Sequence, residues 1–232
     1  GVVFARNACL DFINKEKPKY VGFIDDDCTL DPNWLINATK TINNFNADVV
    51  TGPQNYIENN FDKNAINFTK FFEKKYKKEI LQVDWAATNN VFFKYNIIKK
   101  NSLRFDIKLN NFGMGEDQLF FLQLSRLGKK IIWSKKINVT ETIHAHRFNL
   151  NWLITRSYRL GVLGNYIDRK IYGNFVGFII NYIKSIYLLL KVILILFLPF
   201  KKNYLINLNN HFFRAIGKFV GPFLFKKTKF VN

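Results

Sequence analysis

Cysteine is almost missing from this sequence: Cys9 and Cys28 are the whole complement in 232 residues. Neither belongs to a C-x-x-C pair or a His/Cys cluster, which excludes a disulfide framework and a finger-type zinc site and fits a reducing compartment. The opening residues, GVVFARNACLDF, have neither the basic nor the apolar region of a signal peptide and no initiator methionine, so the sequence is expected to begin inside a domain. In an asparagine-rich chain without a secretory signal, the N-x-T triplets at Asn37, Asn67 and Asn138 are expected to arise by chance. Acid is the next shortage. Against 35 lysines and arginines stand 17 aspartates and glutamates, a net charge of +18. Part of that excess is expected to reflect a compositionally biased genome, and the rest favours polyanionic neighbours: nucleic acid, an anionic membrane face or a phosphorylated small molecule. No nucleic-acid module and no regular interleaving of aromatic and basic residues supports the first of these.

Apolar residues, by contrast, are plentiful at 48% of the chain, enough for a real core. YVGFI (20–24) is a short continuous apolar run, the pattern of a strand buried on both faces of a parallel sheet. Asp31-Pro32 supplies a cap and a first-turn proline for a helix over NWLINATKTINNF (33–45). ADVVTGP (47–53) reads as the next strand, a lysine-rich helix is predicted over 64–80, NVFFK (90–94) as a strand, and a helix around 95–101. EDQLFFLQLSRLG (116–128) has apolar residues at helical spacing and a glycine where the C-terminal cap belongs. KIIWS and INVTETI complete the strand candidates. The alternation predicts a layered α/β domain with a mostly parallel sheet over 1–150, and a helical, basic and hydrophobic region over 151–232.

Within that second region, 175–200 is apolar for long enough to cross a bilayer, interrupted by Asn181, Lys184, Ser185 and Lys191. Asn181, Lys184 and Lys191 fall near one helical face, so a tilted span and a helix lying in the interface are both allowed, as is a helix buried in a soluble core. FFRAIGKFVGPFLFKK (212–227) puts Arg214 and Lys218 on one face, as an interfacial helix does.

Chemistry concentrates where acid does. Asp25, Asp26 and Asp27 follow the first strand, and ligands of open α/β sheets bind at the carboxyl ends of strands. Adjacent carboxylates repel one another unless a hard divalent cation such as Mg²⁺ or Mn²⁺ holds them, and on an extended segment Asp25 and Asp27 would share one side while Asp26 points away. A solvated acidic turn is the plainer alternative. Glu116 and Asp117 stand behind NNFGMG in the first turn of a helix, where the dipole keeps a carboxylate ionised and ready to accept a proton, or where it only stabilises its own helix.

The order of these features is more specific than any one of them. ARN ahead of a helix, a strand then DDD, DPNWL, a strand ending in TGP, TNNVFF, and FDIKLNNFGMGEDQLFFLQLSRLGKKIIW together resemble the family 2 glycosyltransferases of the GT-A fold, over about residues 5–165. The resemblance implies a DXD-type site for the metal and nucleotide diphosphate of a sugar donor at Asp25 and Asp27, with Asp26 beside it, and a catalytic base at Asp117 with Glu116. Arg6 and Asn7 would lie near the donor. RFNLNWLITRSYRLG looks like the basic helix following the catalytic domain in bacterial members, and adds Arg156 and Arg159 as donor-binding residues. A metal-binding histidine would be His144, with His146 as the alternative. Two departures stand out: the strand and loop that grip the nucleobase would precede Gly1, so a first β-α-β portion is expected to be missing, and WAATNN has Ala86 and Ala87 where family members carry glycines.

The implied reaction transfers a sugar from a nucleotide-sugar donor to a glycan or lipid-linked acceptor of the envelope, with inversion and with Mg²⁺ or Mn²⁺, at the cytoplasmic face of the membrane, by an enzyme either membrane-associated or single-pass. The alternatives are a metal-dependent nucleotidyl or phosphoryl transferase and a non-enzymatic basic protein of the membrane surface.

Overall fold

The computed structural model describes residues 1–57, 76–142, 147, 149–197 and 204–224. The helix predicted over 64–80 falls largely outside these residues, and His144 and His146 lie outside them altogether. The chain divides into two compact units: the described residues up to 110 together with 116–142 in the first, and 111–115 with the described residues from 147 onward in the second.

The first unit opens with helix α1 (Val2–Glu16), which buries Val3, Asn7 and Leu10, one stripe at helical spacing, and ends at Lys17 with φ 50°. Arg6 and Asn7 therefore lie inside this helix rather than ahead of it. No glycine or proline interrupts residues 2–16, so the helix runs through the ARN triplet. Strands β1 (Tyr20–Ile24) and β2 (Cys28–Leu30), helix α2 (Trp34–Asn44), strands β3 (Val49–Thr51), β4 (Gln54–Ile57), β5 (Ile80–Val83) and β6 (Asn90–Lys94) follow. Then come helix α3 (Asn96–Asn101), a 3₁₀ segment (Ile107–Phe112), helix α4 (Glu116–Arg126), and strands β7 (Ile131–Ser134) and β8 (Val139–Thr142). Asp31 does not cap α2 directly. Its side chain accepts from Asn33 N (2.9 Å) and its carbonyl from Trp34 N (2.8 Å), closing a turn with Pro32 in its second position, and the helix starts only at Trp34.

Five strands form one sheet in the order β1-β6-β3-β7-β5, and three form a second in the order β2-β8-β4. The sheet expected to be mostly parallel is mixed: β3–β7 and β4–β8 pair parallel, whereas β1–β6, β3–β6, β5–β7 and β2–β8 pair antiparallel. β1, β3 and β7 do share a direction, as helical crossovers require, but β6 inserts between β1 and β3 against both. A strand buried on both faces is apolar throughout whichever way it runs, so NVFFK carries no sign of its direction.

Alternate residues of these strands feed two cores. Val50, Phe92 and Ile132 pack with Trp34, Ala38 and Ile42 of α2. On the opposite face Phe93 meets Phe121 of α4 edge-on with ring centroids 6.2 Å apart, and Phe105 stacks on Phe120 at 4.3 Å. Gly52 marks the tightest crossing: a Cβ there would fall 1.7 Å from the carbonyl oxygen of Ile137.

The second unit is helical, with α5 (Leu150–Tyr172), α6 (Asn174–Phe197) and α7 (Tyr204–Leu224). Asn149 caps α5 by accepting from Trp152 N at 2.8 Å. α5 and α7 touch at backbone level, since a Cβ on Gly161 would lie 2.3 Å from Arg214 O and one on Gly217 would lie 2.2 Å from Tyr158 O. Among the described residues α6 is the one helix long and apolar enough to cross a membrane by length and composition. The Lys218 face of α7, expected to meet water and headgroups, is turned inward: Ala215, Gly217, Lys218 and Gly221 are buried.

Candidate active site

Three elements converge on one cation. α1 presents Arg6, the end of β1 presents Asp25, and the first turn of α4 presents Glu116 and Asp117. The Arg6 guanidinium donates to the Glu116 carboxylate and stands 3.5 Å from Asp25 Oδ1, with its carbon 6.0 Å above the Phe105 ring. Side-chain exposure falls from 44% at Asp25 to 14% at Arg6 and 5% at Glu116, so the cluster runs from the surface inward. Glu116 Oε2 is buried without a hydrogen-bond partner among the described residues. Asp117 Oδ1 accepts from Gln118 N at 2.7 Å, and the Thr88 backbone also donates to its carboxylate.

Burial pushes the Asp117 carboxyl above its ordinary range, against the pull of Arg6 and of the backbone N–H groups of Gln118 and Thr88. Burial likewise raises Glu116, helped by the charge of Asp117 and opposed by Arg6. Asp25 moves the same way, again through burial first, with Arg6 opposing and Asp27, Asp117 and Asp26 adding to the rise. The site is therefore a crowd of carboxylates raised by burial and held back by Arg6, an arrangement suited to a group that accepts a proton.

The aspartate triplet is not extended. Cys28 N donates to Asp25 O (3.1 Å), closing a turn that sends the two outer carboxylates apart: Asp25 toward Arg6, Asp27 toward Cys28 and Glu141. Asp26 is exposed. The ligand atoms of Asp27, Cys28 and Glu141 lie within 4.8 Å of one another. Burial, then the charges of Glu141, Asp27 and Asp25, push the Cys28 thiol up to about 12, so it stays protonated and leaves the two carboxylates as the ligands suited to a hard cation. Glu141 also accepts from Gln54 Nε2. It sits across from Cys28 in the β2–β8 register, a pairing that strands of three and four residues do not announce in sequence.

Asn7 takes a structural part: its Nδ2 donates to Phe105 O and its Oδ1 accepts from Phe105 N, both at 2.9 Å, which pins α1 to the segment before the 3₁₀ turn. Arg156 and Arg159 belong to the second unit, the former with its guanidinium carbon 5.1 Å from the Trp152 ring centroid, the latter donating to Phe112 O.

Residues 1–105 match the family described as "Glycosyl transferase family 2". The succinoglycan biosynthesis protein ExoM of Rhizobium meliloti (strain 1021) is 26% identical over 177 residues, which are 75% of this chain and 55% of that protein. Among solved structures, the S. aureus TarS fragment 1-349 in complex with UDP-GlcNAc aligns with a TM-score of 0.43 at 16% identity, over 73% of this chain and 50% of that one. The chain thus spans about half the length of the relatives it matches.

Proposed function

From the match of residues 1–105 to glycosyl transferase family 2 we propose that the chain is a glycosyltransferase of that family and that Asp117 is the base of an inverting sugar transfer from a nucleotide-sugar donor to a glycan or lipid-linked acceptor. The observation that carries this reading is the meeting of Asp25, Glu116 and Asp117 around Arg6 at the end of β1 and the start of α4. Asp117, held by the backbone N–H groups of Gln118 and Thr88, takes the proton of an acceptor hydroxyl. The freed oxygen bonds to the anomeric carbon as the bond to the nucleoside diphosphate breaks on the opposite face, which inverts the centre. Arg6 keeps Glu116 and Asp25 in place on either side.

Two carboxylates, Asp27 and Glu141, converge closely enough to hold Mg²⁺ or Mn²⁺, with Asp25 at the same turn. When bound, such a cation offsets the charge that develops on the departing diphosphate. The succinoglycan-building role in the name of the ExoM relative supports a glycan acceptor. The apolar helix α6 and the net charge of +18 support a place at the cytoplasmic face of a membrane.

Asp117→Asn tests the assignment. A base acts chiefly in the transition state, so donor affinity should stay nearly constant while kcat falls by about 10²–10⁴-fold. Near-normal turnover in the folded variant would reduce Asp117 to a helix start. Release of pyrophosphate in place of nucleoside diphosphate would assign nucleotidyl transfer instead.

A further inference from the structure

We infer that α6 and α7 enter the apolar phase of a lipid bilayer together, as a hairpin that turns polar groups inward, toward each other and toward α5, so that lipid contacts the outer faces of both helices. This rests on the membrane reading above and replaces its simpler form, in which α6 inserts alone and α7 lies separately in the interface.

Polarity carries the argument. A helical bundle built for water turns apolar stripes inward and polar stripes outward. Here α6 buries Gly177, Asn181, Ser185 and Val192, and exposes Phe175 (77%), Ile183 (60%), Leu194 (61%) and Phe197 (81%). α7 repeats the inversion, with Lys218 buried at 5% and Phe219 and Phe223 exposed at 57% and 70%. So large an apolar exterior on two successive helices is not a surface for water.

Several of the polar groups that these helices turn inward are matched, while His211 Nδ1 of α7 is buried without a hydrogen-bond partner among the described residues. Asn181 Nδ2 donates to Lys218 O (2.8 Å), and Lys218 Nζ donates back to Asn181 Oδ1 (3.1 Å). Ser185 Oγ donates to Ala215 O (2.9 Å). Asp168 of α5 pairs with Lys184 Nζ at 2.6 Å and Lys218 Nζ at 3.6 Å. The other lysine of α6, Lys191, rests its ammonium 4.6 Å from the centroid of the Tyr187 ring. Gly161 and Gly217, meeting at backbone distance, are the small residues that close packing without a hydrophobic driving force demands. At about 1.5 Å per residue, 24 and 21 residues give helices of roughly 36 and 31 Å, each comparable with a hydrocarbon core of roughly 30 Å.

The test places single spin labels on the full chain, in a C9S/C28S background, at Ile183, Phe219 and Phe223, all outward-facing and so tolerant of a label. The protein is bound to vesicles of anionic and zwitterionic phospholipid, and relaxation by oxygen, which concentrates in lipid, is compared with relaxation by a water-soluble nickel chelate. The inference expects oxygen to dominate at all three positions. Nickel dominating at Phe219 and Phe223 while oxygen dominates at Ile183 would overturn the hairpin and leave a membrane role for α6. Nickel dominating everywhere, or no binding to vesicles, would remove the membrane reading as well. Labels shielded from both reagents would mean that protein covers these faces, which also overturns the inference.

Discussion

Arg6 is the cation on which the candidate site turns, because it touches one carboxylate, stands near a second, and pulls on a third. Removing its charge takes away a pull that lowers Asp25, Glu116 and Asp117, so that burial and mutual repulsion, which raise their pKa values, are opposed only by the backbone N–H groups at Glu116 and Asp117. A base works ionised, so activity disappears as pH falls through its folded-state pKa, and Arg6→Gln should move the acidic limb of the kcat/KM profile to higher pH. The linkage sign is the reverse of that for a salt-bridged carboxylate. With folded values above unfolded ones, these groups contribute stability that is present below about pH 4 and lost as pH rises through the folded values. Arg6→Gln should therefore lower the thermal midpoint more at neutral pH than in acid. An acidic limb that stays in place would show that Arg6 does not set the ionisation of the base. Asp25, Asp117 and Glu116 were legible as candidates because acid in a basic chain stands out, and Arg6 because ARN opens the motif order that resembles the family. Glu141 was not, since its approach to Asp27 depends on how two short strands pair.

Among elements, β6 does more than complete a sheet. Asn90 at its start accepts from Trp34 Nε1 of α2 (2.8 Å) and donates to Pro53 O (3.0 Å) and Ile137 O (2.8 Å), while its own carbonyl accepts from Thr51 Oγ1 of β3 (2.6 Å). One buried amide thus fixes the helix, the turn at Gly52 and the loop before β8. Asn90→Ala would strand a buried indole N–H and leave two carbonyls short of a donor. At about 1–3 kcal/mol for an unmet buried group, the expected loss is about 2–4 kcal/mol, read as a lower urea midpoint with an unchanged slope. A loss under about 0.5 kcal/mol would mean that water replaces the amide. The elements readable from sequence were those whose signal is local: the apolar runs of β1 and β6, the 3.6-residue period and Gly128 stop of α4, the length of α6. β2, β4 and β5 were not readable, being three or four residues long with polar side chains among them. The hub role of Asn90 was invisible for a related reason, as every partner of its side chain is remote in sequence.

At the scale of the whole molecule, charge and greasiness act over different distances. A net charge of +18 attracts an anionic surface through solution, and raising ionic strength from about 0.01 M to about 1 M shortens the screening length from roughly 30 Å to roughly 3 Å. The apolar faces of α6 and α7 act only on contact and do not weaken with salt. Anionic vesicles should therefore capture the chain much more slowly at high salt, yet vesicles already loaded should keep most of it when salt is added, as stopped-flow and flotation would record. Complete release by salt would assign the attachment to charge alone.

The polar seam of the helical unit also has a consequence in time. Asn181 and Ser185 find their partners at Lys218 and Ala215, which the ribosome adds 37 and 30 residues later. At about 5–20 residues per second, that separation is on the order of seconds. For that interval α6 exists with an amide and a hydroxyl unanswered, while Lys184 already has Asp168 behind it. A newly made α6 is thus an unfinished surface, and its lasting residence in lipid has to wait for the arrival of α7.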